Sequence, residues 1–318
     1  MRIAVSLMLA MSLTAASPAP EESYVQAAGP DGPLKGTMLS PGGFNAPVIL
    51  MIPGSGPTDR DGNNPLGVKA ASLKLLAEGL AARGIATVRI DKRGMFASAG
   101  AVPDANAVTI DDYATDVHVW VDAIRQRTNA KCVWLLGHSE GGLVALRAGQ
   151  RAGSLCGIIL VSTPGRPLGT VLRDQLKANP ANAPLLDQAN AAISDLEAGK
   201  HVDMTKLPPA LAQLFRPNVQ DFLINAMALD PAKMLASYRD PVLILQGTRD
   251  IQVSVEDANL LKAARPSATL VLLPDTNHVL KVVTSDSRAA NIATYADPGL
   301  PLAPEVVPSI ARFIESAK

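Results

Sequence analysis

Short apolar runs alternate along this chain with longer stretches in which apolar residues recur every three or four positions. Residues 47–52, 85–90, 132–136, 157–161, 242–245 and 269–273 are nearly continuous apolar runs, the pattern of strands covered on both faces. Between them, residues 70–82, 110–127, 142–148, 255–264 and 306–316 have helical spacing. In the first of these, Leu73, Leu76, Leu80 and Ala81 share a face, and Arg83-Gly84 marks the stop. In the second, Asp111 and Asp112 suit a helix N-terminus, where carboxylates meet the positive end of the dipole. Residues 24–26 and 34–39 predict an edge hairpin in a segment punctuated by Pro18, Pro20, Gly29, Pro30 and Gly32. Strands and helices in this order predict an α/β fold with a mostly parallel sheet and helices on both faces.

One interval breaks the rhythm. Residues 164–240 contain no strand-like run, only helical pieces at 168–178, 183–198, 209–215 and 219–228. This predicts a helical cap, 164–240, inserted into a core made of residues 17–163 and 241–318. The first sixteen residues have a different character. Arg2 precedes an apolar stretch at 3–13, and Thr14-Ala15-Ala16 supplies small residues for cleavage, the pattern of a secretory signal peptide. Its first following cysteine is Cys132, so no lipid anchor is expected, and no other segment is apolar for long enough to cross a bilayer. The expectation is a periplasmic or secreted protein with no stable membrane anchor.

Composition narrows the chemistry. Lys+Arg and Asp+Glu are both 29 among 318 residues, so there is no basic field to hold nucleic acid. Aromatic residues are only 3%, which disfavours a site built on stacked rings. Four scattered histidines and two cysteines have no metal-ligand spacing, and no cofactor is expected.

The candidate chemistry centres on Gly137-His138-Ser139-Glu140-Gly141, a G-x-S-x-G pentapeptide between a buried strand and a helix. Flanking glycines let strand and helix approach closely, and the turn thrusts the serine hydroxyl out at the sheet's edge. A serine needs a base, and the base an orienting acid. His118 lies within a helix, His138 faces away from its neighbour Ser139, and His201 falls in the cap. His278 follows the last strand, at the carboxyl ends where sites of open sheets form. Asp250 ends another strand through Gly247. Its competitors are Asp275, close to His278 in sequence, and Glu256 and Asp257, which suit the first turn of the next helix. Oxyanion donors are expected at the backbone N–H of Glu140 and in Pro53-Gly54-Ser55-Gly56-Pro57. There Ser55 is preferred, with Gly54 and Gly56 as alternatives that also border the substrate. Charged Asp59, Arg60, Asp61, Lys92 and Arg93 form either a salt-bridged network around that loop or a charged subsite.

These motifs, with Asp91-Lys92-Arg93-Gly94, Gln246-Gly247-Thr248-Arg249-Asp250 and Asn277-His278, make the chain similar to α/β-hydrolases. More narrowly, it resembles bacterial carboxylesterases of the serine-aminopeptidase-like group. The resemblance implies an eight-stranded, mostly parallel sheet with an antiparallel second strand, and acyl-bond hydrolysis without a cofactor. Met95-Phe96 departs from the small, glycine-containing turn frequent in relatives.

The expected function is hydrolysis of small-molecule carboxylic esters, with short acyl chains, through an acyl-enzyme on Ser139. An aminopeptidase or amidase would use the same triad, and a non-catalytic binding protein would lack part of it. Phe215 and Met227 are candidate pocket residues from the cap. Cys132 and Cys156 begin neighbouring strands at similar height, which allows a disulfide. Parallel neighbours send side chains the same way, which opposes it, so the bridge stays open at this point.

Overall fold

A computed structural model describes residues 19–42 and 46–317. The expected signal peptide, 1–16, lies outside the described residues. Eight strands form one sheet: β1 (Glu21–Ala27), β2 (Leu34–Ser40), β3 (Val48–Ile52), β4 (Ala86–Ile90), β5 (Val133–His138), β6 (Leu155–Val161), β7 (Val242–Gly247) and β8 (Thr269–Leu273). Their order across the sheet is β1-β2-β4-β3-β5-β6-β7-β8. β2 runs antiparallel to both neighbours, and the pairs from β4 through β8 are parallel.

The continuous apolar runs divide between two cores because side chains alternate along a strand. In β3, Val48, Leu50 and Ile52 join one core and Ile49 and Met51 the other. The first core is covered by α2 (Ile110–Thr128), α3 (Glu140–Ala148) and α9 (Val255–Ala264). The second is covered by α1 (Ser72–Ala81) and α11 (Val306–Ser316). Capping boxes start α2 at Thr109/Asp112 and α9 at Ser254/Asp257, so the acids that begin both helices serve their N-termini.

Between β6 and β7 the chain is helical: α4 (Leu168–Lys177), α5 (Leu186–Glu197), α6 (Pro209–Ala212), α7 (Gln220–Met227) and α8 (Pro231–Ser237). Ala189, Ala192, Ile193, Leu196, Leu211, Phe215, Leu223 and Met227 form a third core of their own within this segment. Leu235 of α8 returns to the first core, so the last helix of the interval packs with the sheet layer. Sequence periodicity missed α8 and α10 (Arg288–Ala293), both under eight residues and too short to show a repeat.

Cys132 and Cys156 form a disulfide, with Cα atoms 5.1 Å apart. The alignment objection fails because of a register shift. Val133 pairs with Leu155 but Trp134 pairs with Gly157, leaving Cys156 as an extra residue in β6. Such a bulge re-aims its side chain, here toward the neighbouring strand. Gly157 tolerates the bulge because a Cβ there would come within 2.4 Å of the Trp134 ring.

The denatured, unreduced protein is therefore expected to titrate with no free thiol. Replacing both cysteines with serine removes a crosslink around a loop of about 25 residues and should lower stability by about 3 kcal/mol. Two free thiols per chain, or an unchanged melting temperature in the double variant, would contradict the bridge.

Candidate active site

Ser139 stands alone between β5 and α3, with φ 55° and ψ −122°. A serine in this region is strained by about 1–3 kcal/mol, so its surroundings must hold it. Its N–H donates to the Val161 carbonyl at 2.9 Å, and its own carbonyl accepts from Gly142 at 2.9 Å. The close approach leaves no room for side chains around it. A Cβ on Gly137 would lie 2.2 Å from the Gly141 carbonyl oxygen, and one on Gly141 would lie 2.3 Å from that of Ile52.

His278 follows β8 and is buried, only 5% exposed. Its Nδ1–H donates to Asp250 Oδ2 at 2.8 Å. That leaves Nε2 as the nitrogen with a free lone pair. Asp250, just beyond β7, is saturated with donors. Its Oδ1 accepts from the N–H groups of Gln252 at 2.8 Å and Val253 at 3.0 Å, and Gln246 Nε2 donates to Oδ2 at 3.3 Å. Burial alone would raise this carboxyl's pKa. The adjacent His278 ring and the two backbone donors outweigh burial and hold it below the ordinary value.

Two further contacts fix the histidine loop. His138 Nε2–H donates to the His278 carbonyl at 2.9 Å, and the two rings lie 4.8 Å apart. The residue before Ser139 is thus tied to the backbone of His278. Desolvation, with the His278 ring beside it, pushes the His138 imidazole down to about 4. Asn277, fully buried, donates to Asn291 Oδ1 at 3.1 Å and Thr294 Oγ1 at 2.7 Å, and accepts from the Lys281 N–H at 3.0 Å.

The loop after β3 faces the elbow. A Cβ on Gly54 would reach within 3.3 Å of Ser139 Cβ. The charged residues nearby form the network reading of the sequence, through partners of their own. Arg60 clasps Asp91 through its N–H at 2.9 Å and Nε at 3.1 Å, Arg89 pairs with Asp61, and Arg93 pairs with Asp116. Lys92 Nζ donates to the Gly54 carbonyl at 2.7 Å.

A cavity of about 720 Å³ opens over Ser139. Ser55, Gly56, Glu140, Lys92 and Tyr113 line its sheet side, while Leu168, Val171, Leu172, Leu214, Phe222 and Leu223 line its cap side. Its walls are mostly apolar, with polar groups added by Arg166, Gln175, Gln213, Arg216 and Gln252, a mixture that fits a small-molecule site.

A family model described as serine aminopeptidase, S33, matches residues 66–281, a span holding Ser139, Asp250 and His278. The chain belongs to this α/β-hydrolase family. The loop of residues 53–62 precedes the matched span of the S33 model. Esterase EstD of Thermotoga maritima is 27% identical over 255 residues, which are 78% of this chain and 58% of that protein. Lipase 1 of Psychrobacter immobilis is 24% identical over 170 residues, 50% of this chain and 54% of that protein. The chain spans little more than half the length of these curated relatives. Among solved structures, an esterase of Pyrococcus furiosus, Pf2001, superposes with a TM-score of 0.60 at 17% identity, over 93% of this chain and 91% of that one. Est1E of Butyrivibrio proteoclasticus gives 0.57 at 16% identity, over 92% and 98%. At these identities the two structures share the hydrolase fold.

Within this S33 hydrolase, the sequence-predicted residues are sorted by the structure. Ser139, Ser55, Glu140 and Gly56 meet at the cavity, and Asp250 and His278 are hydrogen-bonded to each other. Gly54 packs behind, against the elbow. Phe215 and Met227 are corrections: neither borders the cavity, being 0% and 5% exposed within the cap's own core. Leu214 and Arg216 face the cavity, so Phe215 between them turns away, and Met227 packs with α5 residues. Asp275 pairs with Arg249 instead of His278. Sequence reasoning missed Gln246, Asn277's anchoring role, Lys92's bond to Gly54 and His138's bond to His278. Only the adjacency of Asn277 to His278 signalled any of them.

The low value at His138 carries a pH dependence. The folded state resists a proton that the unfolded histidine accepts near 6.5. Its stabilising contribution is intact above about pH 6.5 and is lost as pH falls toward about 4. Urea midpoints across this window should drop more steeply for the wild type than for His138→Gln. Parallel profiles for the two proteins would contradict the assignment.

Proposed function

We propose that this protein is an exported serine carboxylesterase. The observation that carries the reading is the Asp250–His278 hydrogen bond at 2.8 Å, with His278 tied through His138 to a strained serine elbow that opens on a mostly apolar cavity. In the reaction, Ser139 Oγ attacks the ester carbonyl while His278 Nε2 takes its proton. Asp250 holds the imidazole's tautomer and stabilises the imidazolium. The backbone N–H groups of Glu140 and Ser55 hold the oxyanion. The tetrahedral intermediate collapses to an acyl-Ser139, and His278 returns the proton to the leaving alcohol. Water, activated by the same histidine, then releases the acid. EstD and the solved esterases support the ester reading by their names.

A specific observation weighs against aminopeptidase action. Holding a free α-amine calls for an available carboxylate beside the nucleophile. Glu197 pairs with Arg173 at 2.7 Å, and Asp203 caps a short turn through Thr205. Glu140 is the only acid lining the cavity among the described residues, and its neighbour is Lys92, at 3.5 Å. The proposed substrates are esters of short acyl chains, and the cavity of about 720 Å³ supports a small-molecule acyl group. The leader-like N-terminus and the Cys132–Cys156 bridge support export to an oxidising compartment.

Assay on p-nitrophenyl esters beside aminoacyl-anilides tests the reading directly. Ser139→Ala is expected to lose ester turnover with its fold intact. His278→Ala should lower kcat by about 10³ or more, and Asp250→Asn by somewhat less. Near wild-type turnover by Ser139→Ala, or a clear preference for anilides, would defeat the proposal.

Chain-length preference is a separate outcome. Phe222→Ala enlarges the cavity and should raise the ratio of activity on longer over shorter acyl esters. Phe215→Ala should instead destabilise the cap by about 3–5 kcal/mol, as for a buried aromatic, and leave that ratio within twofold. A shifted ratio in Phe215→Ala with none in Phe222→Ala would reverse the assignment of the two rings.

A further inference from the structure

Lys92 is a buried charge that the triad chemistry leaves unused. Its side chain is 3% exposed, yet it borders the cavity that holds Ser139. Its ammonium has three neighbours: the Gly54 carbonyl at 2.7 Å, Glu140 Oε1 at 3.5 Å, and the face of the Tyr113 ring at 5.3 Å. Burial lowers its pKa, and Glu140 only partly opposes that. A lysine held so deep is unfavourable unless its contacts are specific.

Those contacts converge on the two residues expected to hold the oxyanion. Gly54 C=O and Ser55 N–H belong to one peptide unit. No described peptide is cis, so the carbonyl and the N–H point in opposite directions. A donor that pins the Gly54 oxygen therefore also fixes the direction of the Ser55 hydrogen, away from the ammonium. A charge-assisted bond to the oxygen also polarises the peptide and strengthens its N–H as a donor. On the other side, Lys92 contacts the carboxylate of Glu140, whose backbone N–H begins α3 beside Ser139. Lys92 itself is clamped in the chain: Asp91 is gripped by Arg60, and Arg93 by Asp116.

We propose that Lys92 is a positioning residue of the oxyanion hole, whose ammonium orients and polarises the Gly54–Ser55 peptide and links it to Glu140. The proposal rests on the serine-esterase reading above. It predicts an effect on the transition state and little on ground-state binding, because the oxyanion exists only after attack.

The test uses the full mature chain with Lys92→Met and Lys92→Gln, measuring kcat and KM on p-nitrophenyl butyrate. A second readout is inhibition by an alkyl trifluoromethyl ketone, which forms a tetrahedral adduct bearing the oxyanion. The expected result for Lys92→Met is a fall in kcat of about 10²-fold, the range for loss of an oxyanion donor. KM should stay within about threefold, and ketone affinity should weaken in parallel with kcat. Lys92→Gln, which keeps a neutral donor, should fall between Lys92→Met and wild type, and it serves as the test if Lys92→Met does not fold. Variants with kcat within threefold of wild type would overturn the proposal. So would a rise in KM alone with ketone affinity unchanged, which would make Lys92 a substrate contact or a purely structural residue. Wild-type protein that turns over no ester would defeat the esterase reading itself, and is distinguishable from either result.

Discussion

The backbone at Ser139 is the constraint around which the molecule is organised. A serine at φ 55° and ψ −122° persists only where neighbouring chain segments leave it no alternative. Here β5 and α3 meet with no side chain between them, and α3 presses against the end of β3 through Gly141. The adjacent strand supplies the Val161 carbonyl that fixes the Ser139 N–H. These contacts are sheet contacts, so the position of Ser139 inherits the rigidity of the buried parallel strands.

From that point the restraint spreads to the other parts of the site. His138 ties the elbow to the backbone of His278, and Asn277 ties the same turn to α10 through Asn291. Asp250 is fixed by two backbone donors before it accepts from the histidine, so the acid has little freedom to change partners. The loop of residues 53–62 carries an independent restraint, the Arg60–Asp91 clasp. Preorganisation of this kind is what electrostatic catalysis needs, since donors already aimed at developing charge need not reorganise during the reaction. The cap adds an apolar wall over this rigid floor, and it is built on a small core distinct from the sheet's.

Six strands were legible as nearly continuous apolar runs and the first two as a hairpin, and all eight lie within three residues of the expected ranges. The elbow, Asp250 and His278 were legible because each sits at a strand's carboxyl end beside glycine or turn residues. The cap's pocket was not. Phe215 and Phe222 look equivalent in sequence, and only tertiary packing decides which ring meets the cavity. The disulfide was undecided for a comparable reason. A one-residue bulge at Cys156 turns a side chain toward the neighbouring strand, and no local pattern announces it. The bonds of Lys92 to Gly54 and of His138 to His278 join residues distant in sequence, so periodicity and spacing carry no trace of them.

In the proposed mechanism Ser139 is the nucleophile and its reactivity depends on His278. Labelling with a fluorophosphonate, followed by peptide mass mapping, tests both halves in one measurement. A single adduct per chain is expected, located on Ser139, with labelling slowed by orders of magnitude in His278→Ala. An adduct on another residue, or equally fast labelling of Ser139 without His278, would contradict it.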